Sequence, residues 1–266
     1  MPSVFRKRWR IWILRIKRTP GKSEQALEAV SSTAEVDAFL AQVAALPPAA
    51  ARQPGTGPSA RLLFALDATA SRERTWDRAT QIQAAMFEET QALGGLEVQL
   101  CHYRGLGEFQ ASPWCRGADE LLPRMTAVRC APGLTQIARL LDHAIVTAGP
   151  AGKPAQGAPL RALVFVGDAC EEPRDRLADQ AGCLRLLGVP VFVFQEGRDP
   201  DALAGLRDIA QLSGGAWCPF DSASPNLLRD LLSAVAVYAA GGRPALEDFG
   251  RRHGDAVRLL TAQLGA

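Results

Sequence analysis

Two runs in this chain are apolar at almost every position, Leu62-Leu63-Phe64-Ala65-Leu66 and Ala162-Leu163-Val164-Phe165-Val166-Gly167. A strand hydrophobic on both faces must be covered on both, which favours a parallel sheet flanked by helices. Around these runs the periodicity predicts strand 61–66, helix 72–93, strand 96–103, strand 108–114, helix 118–129 and helix 135–147. It continues with strand 161–167, helix 174–187, strand 190–195, helix 200–212, strand 216–220 and helix 225–239. Leu96, Val98, Leu100 and His102 alternate with Glu97, Gln99, Cys101 and Tyr103, so this strand is expected to have one wetter face. Gly105-Leu106-Gly107 turns it into the next strand, which predicts an antiparallel edge. The class expected is α/β: a doubly wound, mostly parallel, Rossmann-like sheet with helices on both faces.

Outside residues 61–240 the pattern changes. Residues 23–46 read as a short helical segment: Ser32 and Glu35 have capping-box spacing, and Val36, Phe39, Leu40, Val43 and Leu46 follow at helical offsets. Residues 47–60 contain Pro47, Pro48, Pro54 and Pro58 with Gly55 and Gly57, a linker by composition. Gly149 to Pro159 reads as a mobile surface loop. Residues 241–266 are expected to form a C-terminal helical extension, with Ala245, Leu246, Phe249, Val257, Leu260 and Leu264 at its apolar positions.

Charge separates one further segment. The chain totals 30 basic and 28 acidic residues, yet residues 1–22 hold eight bases and no acid, leaving the remainder at −6. Phe5, Trp9, Trp12, Ile13 and Ile16 share one helical face of that segment, with bases over much of the rest. A basic, Trp-bearing amphipathic arm suits an anionic membrane surface. A solvated tail and a nucleic-acid-binding arm are the competing readings, nucleic acid being the least favoured. The uninterrupted apolar run, Ile11 to Leu14, is too short for a signal peptide or a membrane span, so a cytoplasmic protein is expected, peripheral at most on the inner membrane face. The six cysteines, Cys101, Cys115, Cys130, Cys170, Cys183 and Cys218, form no C-x-x-C pair, and reduced cytosolic thiols are the simplest account. Cys170 is the one candidate for an exposed, redox-sensitive thiol.

The candidate chemistry lies where strands end. Asp67, Thr69 and Ser71 follow the first apolar run and place three oxygen donors on one loop. Carboxylate with hydroxyls, without His or Cys nearby, suits Mg2+ or Mn2+ better than Zn2+ or Cu2+. Alone, such a run is often only a turn and a helix N-cap. Two further places strengthen the cation reading: Thr135, in a loop marked by Pro132 and Gly133, and Asp168, which ends the second apolar run. Glu171 and Glu172 precede Pro173 at a helix start, where they are expected to cap that helix; facing the ion, they would instead take the position meant for a partner's acid. Trp76 fits an inward helical face with Ala79, Ile82 and Met86, and Glu73 raises the same question as Glu171. Asp142 and His143 are read as ordinary surface or core residues.

With these residues together, the chain resembles the von Willebrand factor A (VWA) domain family, whose metal-ion-dependent adhesion site (MIDAS) combines D-x-S-x-S with a distant Thr and a distant Asp. Asp67, Thr69 and Ser71 match the first element, Thr135 the second and Asp168 the third; Thr69 stands where the family usually has Ser, and its extra methyl narrows the space around an ion. The resemblance covers about residues 61 to 240. It implies hydroxyls touching the ion directly, Asp side chains acting often through water, and an open coordination place for a carboxylate of a protein partner. It also implies, by analogy alone, work beside an AAA+ ATPase.

Catalytic readings fare worse. No G-x-G-x-x-G follows a strand, no P-loop sequence occurs, and His102, His143 and His253 make no H-E-x-x-H pair or triad. The position two residues after Asp67, where an aspartyl phosphotransferase needs a second carboxylate, is Thr69. The expectation is a non-enzymatic, Mg2+-dependent protein-binding module. A structural or regulatory VWA domain with a vestigial metal site, docking partners through residues 32–46, is the alternative; a metal-dependent hydrolase is less favoured.

Overall fold

Alternate residues of the first strand, β1 (Ala60–Asp67), enter two different cores. Leu62, Phe64 and Leu66 pack on one side of the sheet, Leu63 and Ala65 on the other, and all five are buried. That two-sided burial is why the run is apolar throughout. The computed structural model describes residue 38 and residues 60–72, 95–150, 157–197, 199–220, 229–242, 245 and 249. The arm 1–22, nearly all of segment 23–46, linker residues 47–59, helix positions 73–93 with Glu73 and Trp76, most of the 149–159 loop and most of 241–266 lie outside the described residues.

Six strands form one sheet in the order β3-β2-β1-β4-β5-β6. The others are β2 (Leu96–Arg104), β3 (Glu108–Ala111), β4 (Leu160–Gly167), β5 (Val191–Glu196) and β6 (Trp217–Phe220). All neighbours pair in parallel except β2 and β3, so the expected antiparallel edge is present. The helices among the described residues are α1 (Ala118–Ala127), α2 (Ile137–Ala148), α3 (Arg174–Leu186), α4 (Pro200–Ser213) and α5 (residues 229–242). Leu121 and Met125 of α1 and Leu231, Leu232 and Val235 of α5 cover the Phe64 side. Ile137, Leu141, Leu177, Leu184, Leu206 and Ile209, from α2, α3 and α4, cover the Leu63 side. Phe249 of the C-terminal extension is buried in the Phe64 core, with Ala245 packed beside it.

Three expectations change. The third strand stops at Ala111; beyond it Ser112 N–H donates to Leu100 O at 2.8 Å and an isolated bridge joins Val98 to Cys115. Helix α2 begins at Ile137, which leaves Thr135 in the preceding loop. The wetter face of β2 is not there: Cys101 and Tyr103 are core, and Glu97 is buried against Arg61 and Arg116. His102, from the row expected to be dry, is only half-buried. Helices pack on both faces of β2, and Glu97, the buried charge of this strand, is neutralised there by Arg61 and Arg116.

Among the described residues no helix is long and apolar enough to cross a membrane. None of the six cysteines forms a disulfide.

Candidate metal centre

The strand order reverses direction at β1, whose neighbours are β2 on one side and β4 on the other, so a crevice opens beyond the carboxyl ends of β1 and β4. Asp67 is the last residue of β1 and is fully buried beneath that crevice. Its Oδ1 accepts the backbone N–H of Thr69 at 2.8 Å, the short-range turn an Asp makes with its own backbone. Its Oδ2 accepts the hydroxyl of Tyr103 at 3.1 Å, from the residue that pairs with it in the β1–β2 register. Burial, and then the negative charge of Asp67, push the Tyr103 phenol well above its ordinary value, so it stays a neutral donor.

The chain then turns through Ala70–Arg72, where Thr69 Oγ1 and Ser71 Oγ lie 3.1 Å apart. Thr69 also forms a parallel bridge with Ala131, whose N–H donates to Ala68 O at 3.1 Å. This bridge fastens the loop carrying Thr135 to the end of β1. The same loop leans on the β2–β3 turn: Leu134 N–H reaches Gly105 O at 3.3 Å, and a Cβ added to Gly133 would come within 2.0 Å of that oxygen. Thr135, 6% exposed, exchanges two hydrogen bonds with Glu171: Thr135 N–H donates to Glu171 Oε2 at 2.9 Å, and Glu171 N–H donates to Thr135 Oγ1 at 3.1 Å.

Asp168 follows Gly167, the last residue of β4, whose missing side chain lets the strand ends close together. A Cβ there would meet the Phe165 ring at 2.6 Å and Asp67 Cβ at 3.4 Å. Asp168 Oδ1 is buried and has no hydrogen-bond partner.

Thr69, Ser71, Thr135 and Asp168 line one cleft of about 570 Å3 together with Gly133, Glu171, Glu196 and Asp199. Asp67, fully buried, does not line it. Asp199 is held by Gln195, fully buried, which donates to Asp199 O at 3.2 Å and accepts from Trp217 Nε1 at 3.1 Å. Hydroxyl and carboxylate oxygens around one uncommitted Asp oxygen are the donor chemistry of a small hard cation. Among the described residues no three His, Cys, Asp or Glu side chains group to hold a metal, so three hydroxyls would carry much of any coordination.

The two glutamates are arranged differently from the expectation. They do not cap α3, the helix they precede. Glu172 Oε2 accepts from Ile137 N at 2.8 Å and Oε1 from Ala138 N at 2.7 Å, capping the first turn of α2 instead. Glu171 faces the cleft. Asp142 is exposed and paired with Arg176, and His143 Nε2 meets Gln99 Oε1 at 2.8 Å. Cys170 is half-buried, and burial raises its thiol to about 11, the direction opposite to that of a reactive thiolate.

Tyr103 and Gln195 are supporting residues that sequence reasoning missed, and Glu172 was found as a cap but given to the wrong helix. The signal for Tyr103 was its place at the end of the strand beside β1; Gln195 acts across the fold and left none.

No protein-family model and no curated protein matches this chain. Solved structures do. A von Willebrand factor type A protein from Catenulispora acidiphila is similar with TM-score 0.54 and 14% identity, covering 68% of this chain and 43% of that one. The conserved hypothetical protein BatB from Bacteroides thetaiotaomicron is similar with TM-score 0.50 and 16% identity, covering 66% of this chain and 98% of that one. The SpRpn10 VWA domain is similar with TM-score 0.51 and 13% identity, covering 65% and 93%. The fold of this chain is therefore the von Willebrand factor A fold, and at these identities the likeness speaks to fold alone.

Proposed function

We propose that this chain is a Mg2+-dependent recruitment module that captures a carboxylate of a protein partner. Supporting the reading is one observation above the rest: the buried, unpartnered Oδ1 of Asp168, in the same cleft as the hydroxyls of Thr69, Ser71 and Thr135. A buried carboxylate oxygen without a donor is costly, and a cation bound there removes the cost. Asp67, held from both sides, would steady the site from below. The ion supplies a Lewis-acidic position to which an incoming acid can bind. Binding rather than catalysis is the reading, and Mn2+ is expected to substitute for Mg2+.

The VWA fold serves widely as a protein-interaction module, which agrees with this reading. Its finer parts are a cytoplasmic location, contact with an anionic inner membrane surface through residues 1–22, and an AAA+ ATPase as neighbour; the last rests on analogy. Calorimetry with Mg2+ and Mn2+ tests the site. Heat with the wild type that is lost in Asp67→Ala supports recruitment. Since a weak site fills more readily with its partner present, a pull-down with and without chelator is the companion measurement.

The second reading, a structural or regulatory VWA domain with a vestigial site, draws on Glu171, a resident carboxylate already in the cleft. Absence of heat in both proteins, with chelator-insensitive partner capture, would favour it.

A further inference from the structure

Glu171 and Glu172 are adjacent acids with unequal commitments. Both oxygens of Glu172 are taken by the α2 backbone, through Ile137 N and Ala138 N. Glu171 gives only Oε2 to a backbone donor, Thr135 N, and its Oε1 takes no hydrogen bond from any described residue. Its own N–H holds Thr135 Oγ1, so although the residue is exposed it is tethered at two points to a member of the donor set. An uncommitted Glu171 oxygen and the uncommitted Asp168 oxygen thus belong to side chains lining the same cleft.

Resting on the cation reading of this cleft, the geometry points to Glu171 as an internal carboxylate that occupies the outward side of the site until a partner's acid replaces it. Charge supplies the reason. A divalent ion balances Asp67 and Asp168, and such a site attracts an incoming acid. Glu171 adds a third negative charge, so a further carboxylate meets a net negative site and binds by replacing Glu171, not by adding to it. Recruitment becomes an exchange of one carboxylate for another, and Glu171 sets the affinity a partner must exceed. The chemistry of the partner follows: a single well-placed Asp or Glu whose neighbours contribute enough surface to outcompete a tethered side chain.

The test uses the full chain, Mn2+ as the ion and acetate as the carboxylate probe, read by electron paramagnetic resonance and water-proton relaxation. Glu171→Gln keeps an acceptor for Thr135 N–H while removing the charge. It is expected to bind Mn2+ about tenfold more weakly, with about one more exchangeable water on the ion. Acetate should displace that water at about tenfold lower concentration than in the wild type. Glu171→Ala is the second variant and is expected to shift both readings the same way. Equal Mn2+ affinity and equal acetate sensitivity, in wild type and variants that all bind the ion, would overturn the role of Glu171 and leave the cation reading standing. No Mn2+ bound by the wild type would overturn both.

Discussion

Tyr103 donates its phenolic hydrogen to Oδ2 of Asp67 at 3.1 Å, between two buried side chains that face each other across a parallel strand pair. The bond fixes which way the Asp67 carboxylate is turned beneath the cleft. Removing the hydroxyl with Tyr103→Phe leaves the ring, and its stacking on Phe165 at 6.3 Å between centroids, in place. The loss is therefore one hydrogen bond to a buried carboxylate. A destabilisation of about 1–2 kcal/mol is expected in urea unfolding. Mn2+ affinity should fall about tenfold or more, as when an outer-shell partner of a metal site is lost. Unchanged Mn2+ affinity would mean that Tyr103 stabilises the fold without orienting the site.

Glu172 gives a different signature. Its carboxylate satisfies the first N–H groups of α2 from another element, at 2.8 and 2.7 Å, and places negative charge at the positive end of that helix. Glu172→Ala should cost about 0.5–2 kcal/mol, the usual loss when a cap is removed. Chemical denaturation measures it. Hydrogen exchange should localise the change to the first turn of α2, and equal protection there in wild type and variant would contradict the capping role.

What the sequence made legible follows from local chemistry. Asp67 and Asp168 could be placed because each ends a strand whose apolar run is unmistakable, and the carboxyl edge of a doubly wound sheet is where such residues gather. The loop leading to Thr135 was legible because Pro132 and Gly133 interrupt the pattern, although the helix was expected to start at Thr135 and starts at Ile137. The burial of Tyr103 was missed because alternation along β2 was read as one dry and one wet face, whereas helices cover both. Glu172 was assigned to the wrong helix because a cap is normally sought in the residues just before the helix it serves, and this one arrives from 35 positions later for Ile137. The pairing of Glu171 with Thr135 spans 36 positions and is equally invisible to any local pattern. Sequence reading placed these oxygen-bearing side chains at the edge of the sheet and missed the residues that hydrogen-bond around them.

Glu97 sets a pH dependence far from the cleft. Burial would raise its carboxyl, but the hydrogen bonds and charges of Arg61 and Arg116 outweigh that and hold it below 4.5. Arg61 approaches at 2.8 Å and Arg116 at 3.0 Å, with the Glu97 side chain only 6% exposed. A depressed folded value means that the native state binds fewer protons than the unfolded chain. The contribution is therefore present above the unfolded value and is lost as pH falls through the folded one. Unfolding midpoints should decline below about pH 4.5 in the wild type. Glu97→Gln, less stable at neutral pH, should decline less over that acid range. Parallel declines would place the acid sensitivity elsewhere.

Glycine substitutions separate the Thr135 loop from the rest of the fold. At Gly133 a Cβ would sit 2.0 Å from Gly105 O and 2.5 Å from Gly105 Cα, and backbone on both sides leaves no flexible atom to yield. Gly133→Ala must therefore push the Thr135 loop away from the β2–β3 turn, breaking the Leu134 N to Gly105 O hydrogen bond. A loss of about 1–3 kcal/mol is expected, as for other forced overpacking. Mn2+ binding should be lost while far-ultraviolet circular dichroism keeps the sheet signal, because the strands themselves are untouched. Gly182, inside α3, supplies the contrast: a Cβ there meets nothing within 4 Å. Gly182→Ala should stabilise by about 0.5–1 kcal/mol through helix propensity and leave Mn2+ binding as it was. If Gly133→Ala binds Mn2+ as the wild type does, the Thr135 loop is not part of the site, and the cation would have to be held by the ends of β1 and β4 alone.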